Sequence, residues 1–146
     1  MPPRIRFYHN APDRLVLALE LVGRAYASGR KVAVRLVDAE ELRRFDQALW
    51  TSEPLAFVPH VALASALAGE TPVVLAAAGE DAGWPHADLL FNLADDLPPG
   101  HERFRTVVEI VGQGEAHALP ARARWTEYRR RGLELKAFDA ASRTAL

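Results

Sequence analysis

Lys31-Val32-Ala33-Val34-Arg35-Leu36-Val37 runs into Asp38-Ala39-Glu40-Glu41-Leu42-Arg43-Arg44-Phe45-Asp46-Gln47-Ala48-Leu49-Trp50 with only a capping residue between two elements. The valines favour a pleated, well-covered strand. Asp38 can cap a helix while Glu41, three residues on, reaches back, and the acidic start faces the positive end of the helix dipole. Leu42, Phe45 and Leu49 fall on one face, and the helix ends at Trp50. Strand, cap, helix is the repeating unit of a parallel sheet.

The same unit precedes it. Arg4 to Tyr8 alternates, with Ile5 and Phe7 on one side, so a short strand opens the chain. Asn10-Ala11-Pro12 supplies a cap and a proline tolerated in a first helical turn. Leu15, Ala18, Leu19, Val22 and Tyr26 give one apolar face to a helix over 13–28, stopped by Gly29.

Downstream, Ala62 to Leu67 extends or turns before Gly69, Pro72–Leu75 reads as a buried strand and Gly79 to Pro85 as a loop. Asp88–Asn92 is another strand, and Asp95 to Gly100 a turn. Phe104–Val111 is the strongest strand signal, being largely β-branched. Leu119-Pro120 opens a last helix that runs to Gly132, with a resumption over Leu135–Ala141. The pattern predicts an α/β sandwich around a mostly parallel sheet, one domain over 1–146.

With 146 residues, 49% of them apolar, the chain can bury a substantial core. The net charge is -1, so no overall field draws nucleic acid or an anionic membrane. The balance is uneven: residues 1–100 carry nine Lys/Arg against thirteen Asp/Glu, residues 101–146 nine against six. With no cysteine, disulfides, thiolate metal sites and thiol catalysis are excluded. No apolar run has membrane-spanning length and the N-terminus lacks a signal-peptide core, so a cytoplasmic protein is expected.

Few chemistries survive. The first strand-to-helix turn, His9-Asn10-Ala11-Pro12, has no glycine where a pyrophosphate needs close backbone approach. Gly112-Gln113-Gly114 follows a strand and precedes a helix, but nothing else of a phosphate-binding fingerprint accompanies it. His9, His60, His86, His101 and His117 lack zinc-helix spacing. No serine sits in a nucleophile elbow, and Asp95-Asp96 reads as a solvated turn rather than an acid/base pair. No metal, cofactor or catalytic residue is expected.

Two features point instead to binding. Trp50 and Phe57 flank a short acidic loop, with Pro59 stopping any helix, and are either core plugs or walls of a peptide pocket. The last helix interleaves Arg122, Arg124, Arg129, Arg130 and Arg131 with Trp125 and Tyr128. Such a surface stacks bases and holds phosphates, or forks around the carboxylate of an acidic protein tail, or is a solvated basic helix end.

Four stretches carry a family resemblance: Phe7-Tyr8; Ser28-Gly29-Arg30-Lys31-Val32; Asp46 through Trp50 with Phe57-Val58-Pro59-His60; and Ala121-Arg122 through Tyr128 with Gly132. In this order and spacing the chain resembles the chi-subunit family of bacterial DNA polymerase III, accessory proteins of the clamp-loader complex. The stretch from Glu70 to Pro99 is poorly matched. The resemblance implies a Rossmann-like three-layer sandwich that binds no nucleotide. It also implies a non-catalytic adaptor in DNA replication that grips the acidic C-terminal tail of single-stranded DNA-binding protein.

A psi subunit, or another clamp-loader subunit, is the second implied partner; DNA is engaged mainly indirectly and no membrane is involved. Carried over by position, the tail site comprises Trp50, Phe57, Val111, Arg122 and Trp125, with Arg122 and Trp125 as the wall opposite Trp50 and Phe57. Trp125 stands where the best-known member has tyrosine, and Thr126 where it has lysine; Arg124 or Arg129 would have to replace that cation. The alternative from the residues alone is direct single-stranded DNA binding by the Arg/Trp helix.

Overall fold

A computed structural model describes residues 2–51, 57–142 and 144–145. Apart from Thr51, the acidic loop expected before Phe57 lies outside the described residues. Along the chain come β1 (Arg4–Ala11), α1 (Arg14–Ala27), β2 (Val32–Leu36), α2 (Ala39–Thr51), β3 (His60–Ala62), β4 (Val73–Ala77), β5 (Leu89–Asn92), β6 (Thr106–Gly112), α3 (Glu115–Arg130), β7 (Glu134–Asp139) and β8 (Thr144–Ala145). They build one sheet in the order β3-β4-β2-β5-β6-β1-β7-β8. Pairings from β3 to β7 are parallel, and only β8 returns antiparallel. This is the expected α/β, Rossmann-like sandwich.

Two apolar layers hold it. On one face α1 and α2 bury Leu17, Ala18, Val22, Phe45 and Leu49 against Val34, Leu75, Phe91 and Ile110. On the other, α3 and the loops after β3, β4 and β5 bury Ala121, Tyr128, Ala68, Trp84 and Phe104 against Ile5, Phe7, Leu90 and Val107. β2, β4 and β5 are buried along their whole length, which explains their continuous apolar runs.

The capping expected between β2 and α2 is present. The Glu41 amide donates to Asp38 Oδ1 at 2.8 Å, and Glu41 Oε1 accepts from the Val37 amide at 3.0 Å. Elsewhere the chain departs from expectation. Asn10 is not a helix cap: it holds a left-handed backbone (φ 60) where the β1–β6 register shifts, and its amide reaches Asp139 Oδ1. The cap is Asp13, which accepts from the Val16 amide, so Pro12 lies outside the helix.

α3 starts one turn before the expected opening. Gly114, at φ 91 and ψ 160, makes a turn that side chains disfavour, and its carbonyl accepts from the His117 and Ala118 amides. Pro120 therefore sits inside the helix, where it forfeits only the bond to the Ala116 carbonyl. After Gly132 (φ 76) the chain does not resume a helix. Glu134-Leu135-Lys136-Ala137-Phe138-Asp139 alternates polar with apolar, a two-residue period that makes β7 and aligns it with β1.

An apolar groove beside α3 and a separate aromatic patch

Near its carboxyl end β1 bulges at Asn10 against β6, and beneath the start of α3 lies a groove of about 540 Å³. Phe7 and Val111 supply its floor from the sheet; Ala118, Ala121, Arg122 and Trp125 supply its wall from α3. Trp125 is fixed by an edge contact with Phe7, with ring centroids 5.2 Å apart and planes at 67°. Such aromatic pairs hold orientation as well as area.

Both ends of this wall are electropositive. Arg122 is exposed, and among the described residues no carboxylate pairs with it. At the other end Gly114 offers no side-chain cap, so the first α3 amides present the positive end of the helix dipole to the groove. Glu115 is the one acidic residue of the lining. The groove suits an extended peptide with an apolar side chain and more than one carboxylate.

The glycines that raised a phosphate reading have structural reasons instead. A Cβ on Gly112 would come within 2.8 Å of Arg14 Cδ and 2.9 Å of His117 Cδ2. Arg14 in turn reaches across the strand ends to Glu41 Oε2 at 3.1 Å and to the Leu93 carbonyl at 2.6 Å. In sheets of this kind ligands enter outside the carboxyl ends of the strands, and here an arginine side chain spans that crevice.

Trp50 and Phe57 are in neither the groove nor the core. Their rings meet at a tilt of 39° with centroids 5.2 Å apart, 54% and 60% exposed, with the buried His60 ring 4.8 Å from Trp50. His60 Nδ1 lies 2.7 Å from the Val58 carbonyl, and Nε2 is 3.0 Å from Asp46 Oδ1 but outside hydrogen-bond geometry. The patch sits at the β3 edge on the α2 face. β1 is five strands away, roughly 24 Å at about 4.8 Å per strand, and α3 covers the opposite face. Arg122 and Trp125 therefore do not face Trp50 and Phe57: the expected site is two surfaces, because strand order does not follow chain order.

The arginine–aromatic surface expected on α3 is also not formed. Arg124 is buried, donating from Nε to Glu109 Oε1 at 3.0 Å and from Nη1 to the Asp95 carbonyl at 2.6 Å. The Tyr128 hydroxyl, fully buried, donates to Glu109 Oε2 at 2.7 Å. Arg130 and Arg131 both bind Glu127, whose carboxyl they hold down to about 2. Arg122 and Arg129 are left as exposed cations without such a partner, and Arg124 cannot replace the lysine missing at Thr126.

The inward groups belong to a polar network. Asn92 Nδ2 also donates to Glu109 Oε1 at 2.9 Å, and its Oδ1 accepts from Arg35 Nη1. Arg35, 1% exposed, binds Asp81 at 2.6 Å and grips both oxygens of Asp96 at 2.8 and 2.9 Å. Asp96 is thus one half of an ion pair rather than a purely solvated turn residue. Burial pushes the Glu109 pKa up, against Arg124, Tyr128 and Asn92, which favour its anion. Every member of the network has a partner, which fixes how α3 lies on the sheet.

Comparison with known proteins places the chain in a family. Residues 2–136 match the family described as DNA polymerase III chi subunit, HolC. The chain is 28% identical over 119 residues to the DNA polymerase III subunit chi of Haemophilus influenzae, covering 82% of each chain. It is 28% identical over 125 residues to the protein of the same name from Escherichia coli K12, covering 82% of this chain and 80% of that one. The chain belongs to the chi-subunit family of DNA polymerase III.

Proposed function

We propose that this chi-family chain is a non-catalytic adaptor of the replication machinery, with the α3 groove receiving the acidic C-terminal tail of a single-stranded DNA-binding protein. The observation that carries this is the pairing of an apolar Phe7–Val111–Trp125 trough with an unpartnered Arg122 and an uncapped helix start. An apolar terminal side chain fills the trough, the terminal carboxylate takes the Arg122 fork, and acidic residues lie against the α3 amides. Arg129 stands nearly two full turns beyond Arg122, so it falls on the same stripe of α3 and extends the positive surface.

Trp50 and Phe57, assigned to the tail by resemblance, belong in this reading to the second partner. An exposed pair of touching aromatic rings, backed by a buried histidine, is an anchor type common at protein interfaces. Its place beyond the far edge of the sheet leaves the groove open while a clamp-loader subunit, psi or another, is bound. No helix of the described residues is long and apolar enough to cross a membrane.

Calorimetric titration with a peptide copying the acidic tail tests the reading. Affinity on the order of micromolar, weakened by salt, is expected from the small area of a docked peptide. Equal binding by wild type and Arg122→Ala would remove the groove from the tail site.

A further inference from the structure

At the opposite end of the strands lies a second concavity, of about 870 Å³, lined by residues from the starts of four neighbouring strands. Arg30 precedes β2, Asp88 precedes β5, Arg103 and Arg105 precede β6, and Arg4 begins β1. Lys31 and Arg105 line the adjoining shallower hollow. The cleft's one carboxylate is already committed. Asp88 accepts from Arg30 Nε and Nη2 at 2.7 to 3.0 Å and from the Lys31 amide at 3.2 Å.

Arg4, Lys31, Arg103 and Arg105 are exposed, and none has an ion-pair partner among the described residues. The nearby carboxylates are shared: Glu134, opposite Arg4, is bonded by Arg6 at 2.8 Å and also attracted by Arg4 and Lys136, Asp88 is attracted by Arg105 as well as bonded by Arg30, and Glu102 lies beside His101 at 3.5 Å. A chain of net charge -1 thus concentrates on one rim more cations than carboxylates, at the cost of their mutual repulsion.

We propose that this cleft binds the phosphate backbone of single-stranded nucleic acid without reading its sequence. Several features select that ligand. The cations come from β2, β6 and β1, so they form a row about 14 Å long across the strands, at about 4.8 Å per strand, which fits consecutive phosphates better than a single anion. Bases have no stacking platform, since Phe104, the one aromatic of the lining, is 2% exposed. An acidic peptide finds no backbone to pair with. The strand starts use their own groups, with the Arg4, Leu89, Arg105 and Thr106 amides bonded to the Arg105, Lys31, Ala87 and Asp88 carbonyls.

The proposal stands independently of the α3 groove. β1 runs from Arg4 at this cleft to Phe7, His9 and Asn10 in the groove, so at about 3.3 Å per residue roughly 10 Å of strand separates the nearest lining residues and roughly 20 Å the farthest. Both can be filled at once.

The test is fluorescence anisotropy of a labelled oligothymidylate with the full chain, over a range of salt. Weak binding is expected at 20 mM salt, with a log–log salt slope near -2 for about three phosphates neutralised on a single strand. Arg4→Glu with Arg105→Glu should weaken it at least tenfold, while Arg43→Glu with Arg44→Glu, an equal double reversal on exposed α2, should not. Circular dichroism and tail-peptide affinity of the double variant serve as checks on its fold, and both should match wild type. If it misfolds, Arg4→Gln with Arg105→Gln replaces it, with a several-fold loss expected. The proposal is overturned by absent binding at low salt, by binding that ignores Arg4 and Arg105, or by thymidine monophosphate or oligoglutamate competing as well as the oligonucleotide.

Discussion

Arg124 Nε and Glu109 Oε1 meet at 3.0 Å between α3 and the middle of β6, one side chain 5% exposed and the other not at all. The contact turns an arginine of a surface helix into an internal strut, and the groove wall formed by Arg122 and Trp125 rests on the same helix. Removing one partner strands the other as a buried, unpaired charge. Arg124→Ala is therefore expected to lower stability by about 3–5 kcal/mol. The joint change Arg124→Met, Glu109→Leu and Tyr128→Phe should cost much less, because it leaves behind neither a charge nor an orphaned Tyr128 hydroxyl. Urea unfolding of the two variants decides between a strut and an incidental contact.

Tyr128→Phe removes one hydrogen bond to the Glu109 carboxylate without opening a cavity. A loss of roughly 1.5–3 kcal/mol is expected for a bond to a charged group. The urea midpoint should fall while the slope stays constant, and binding at the groove should persist at temperatures where the variant is folded.

Arg122 and Trp125 should separate affinity from stability. Arg122→Ala is expected to weaken tail-peptide binding about tenfold or more with an unchanged melting temperature, since its fork touches no described carboxylate. Trp125→Ala should lower both, because its ring also packs on Phe7. Trp50→Ala with Phe57→Ala should leave the peptide affinity intact and abolish recovery of clamp-loader subunits in a pull-down.

Two opposite pH dependences are built in. The Arg35 fork holds the Asp96 carboxyl below its ordinary value, and Arg30 does the same for Asp88. A depressed native pKa stabilises above the unfolded value, near 3.9, and that contribution disappears as pH falls through the native one. The deficit of Asp96→Asn at pH 7 should therefore shrink below about pH 4. Glu109 has the reverse sign: burial raises its native pKa, so its contribution declines as pH rises past the unfolded value near 4.3. Urea midpoints from pH 2 to 8 for wild type, Asp96→Asn and Glu109→Gln check both signs.

Local signals were legible where they were self-contained. Asp38 and Glu41 sit three residues apart, so the turn into α2 could be read without the rest of the chain. β7 was not, because a helix stopped by Gly132 and six alternating residues carry less pattern than a long strand. The inward turn of Arg124 and Tyr128 depends on Glu109, a lone acidic residue inside an apolar strand, and that glutamate was the available clue. The separation of Trp50 and Phe57 from Arg122 follows from β3 lying at an edge and β1 near the other side. Strand order is a property of long-range pairing, which residue spacing does not encode.

The first strand has only late partners: Arg4 is aligned with Thr106 on β6 and with Glu134 on β7. During synthesis on the ribosome β1 must wait, unpaired, until most of the chain has emerged. Such distant pairings slow folding and leave apolar strand edges open meanwhile. The α3 groove, built from β1, β6 and α3, is consequently among the last parts to exist, so a nascent or truncated chain has nothing with which to hold the acidic tail. Competence at the groove arrives as a property of the finished molecule.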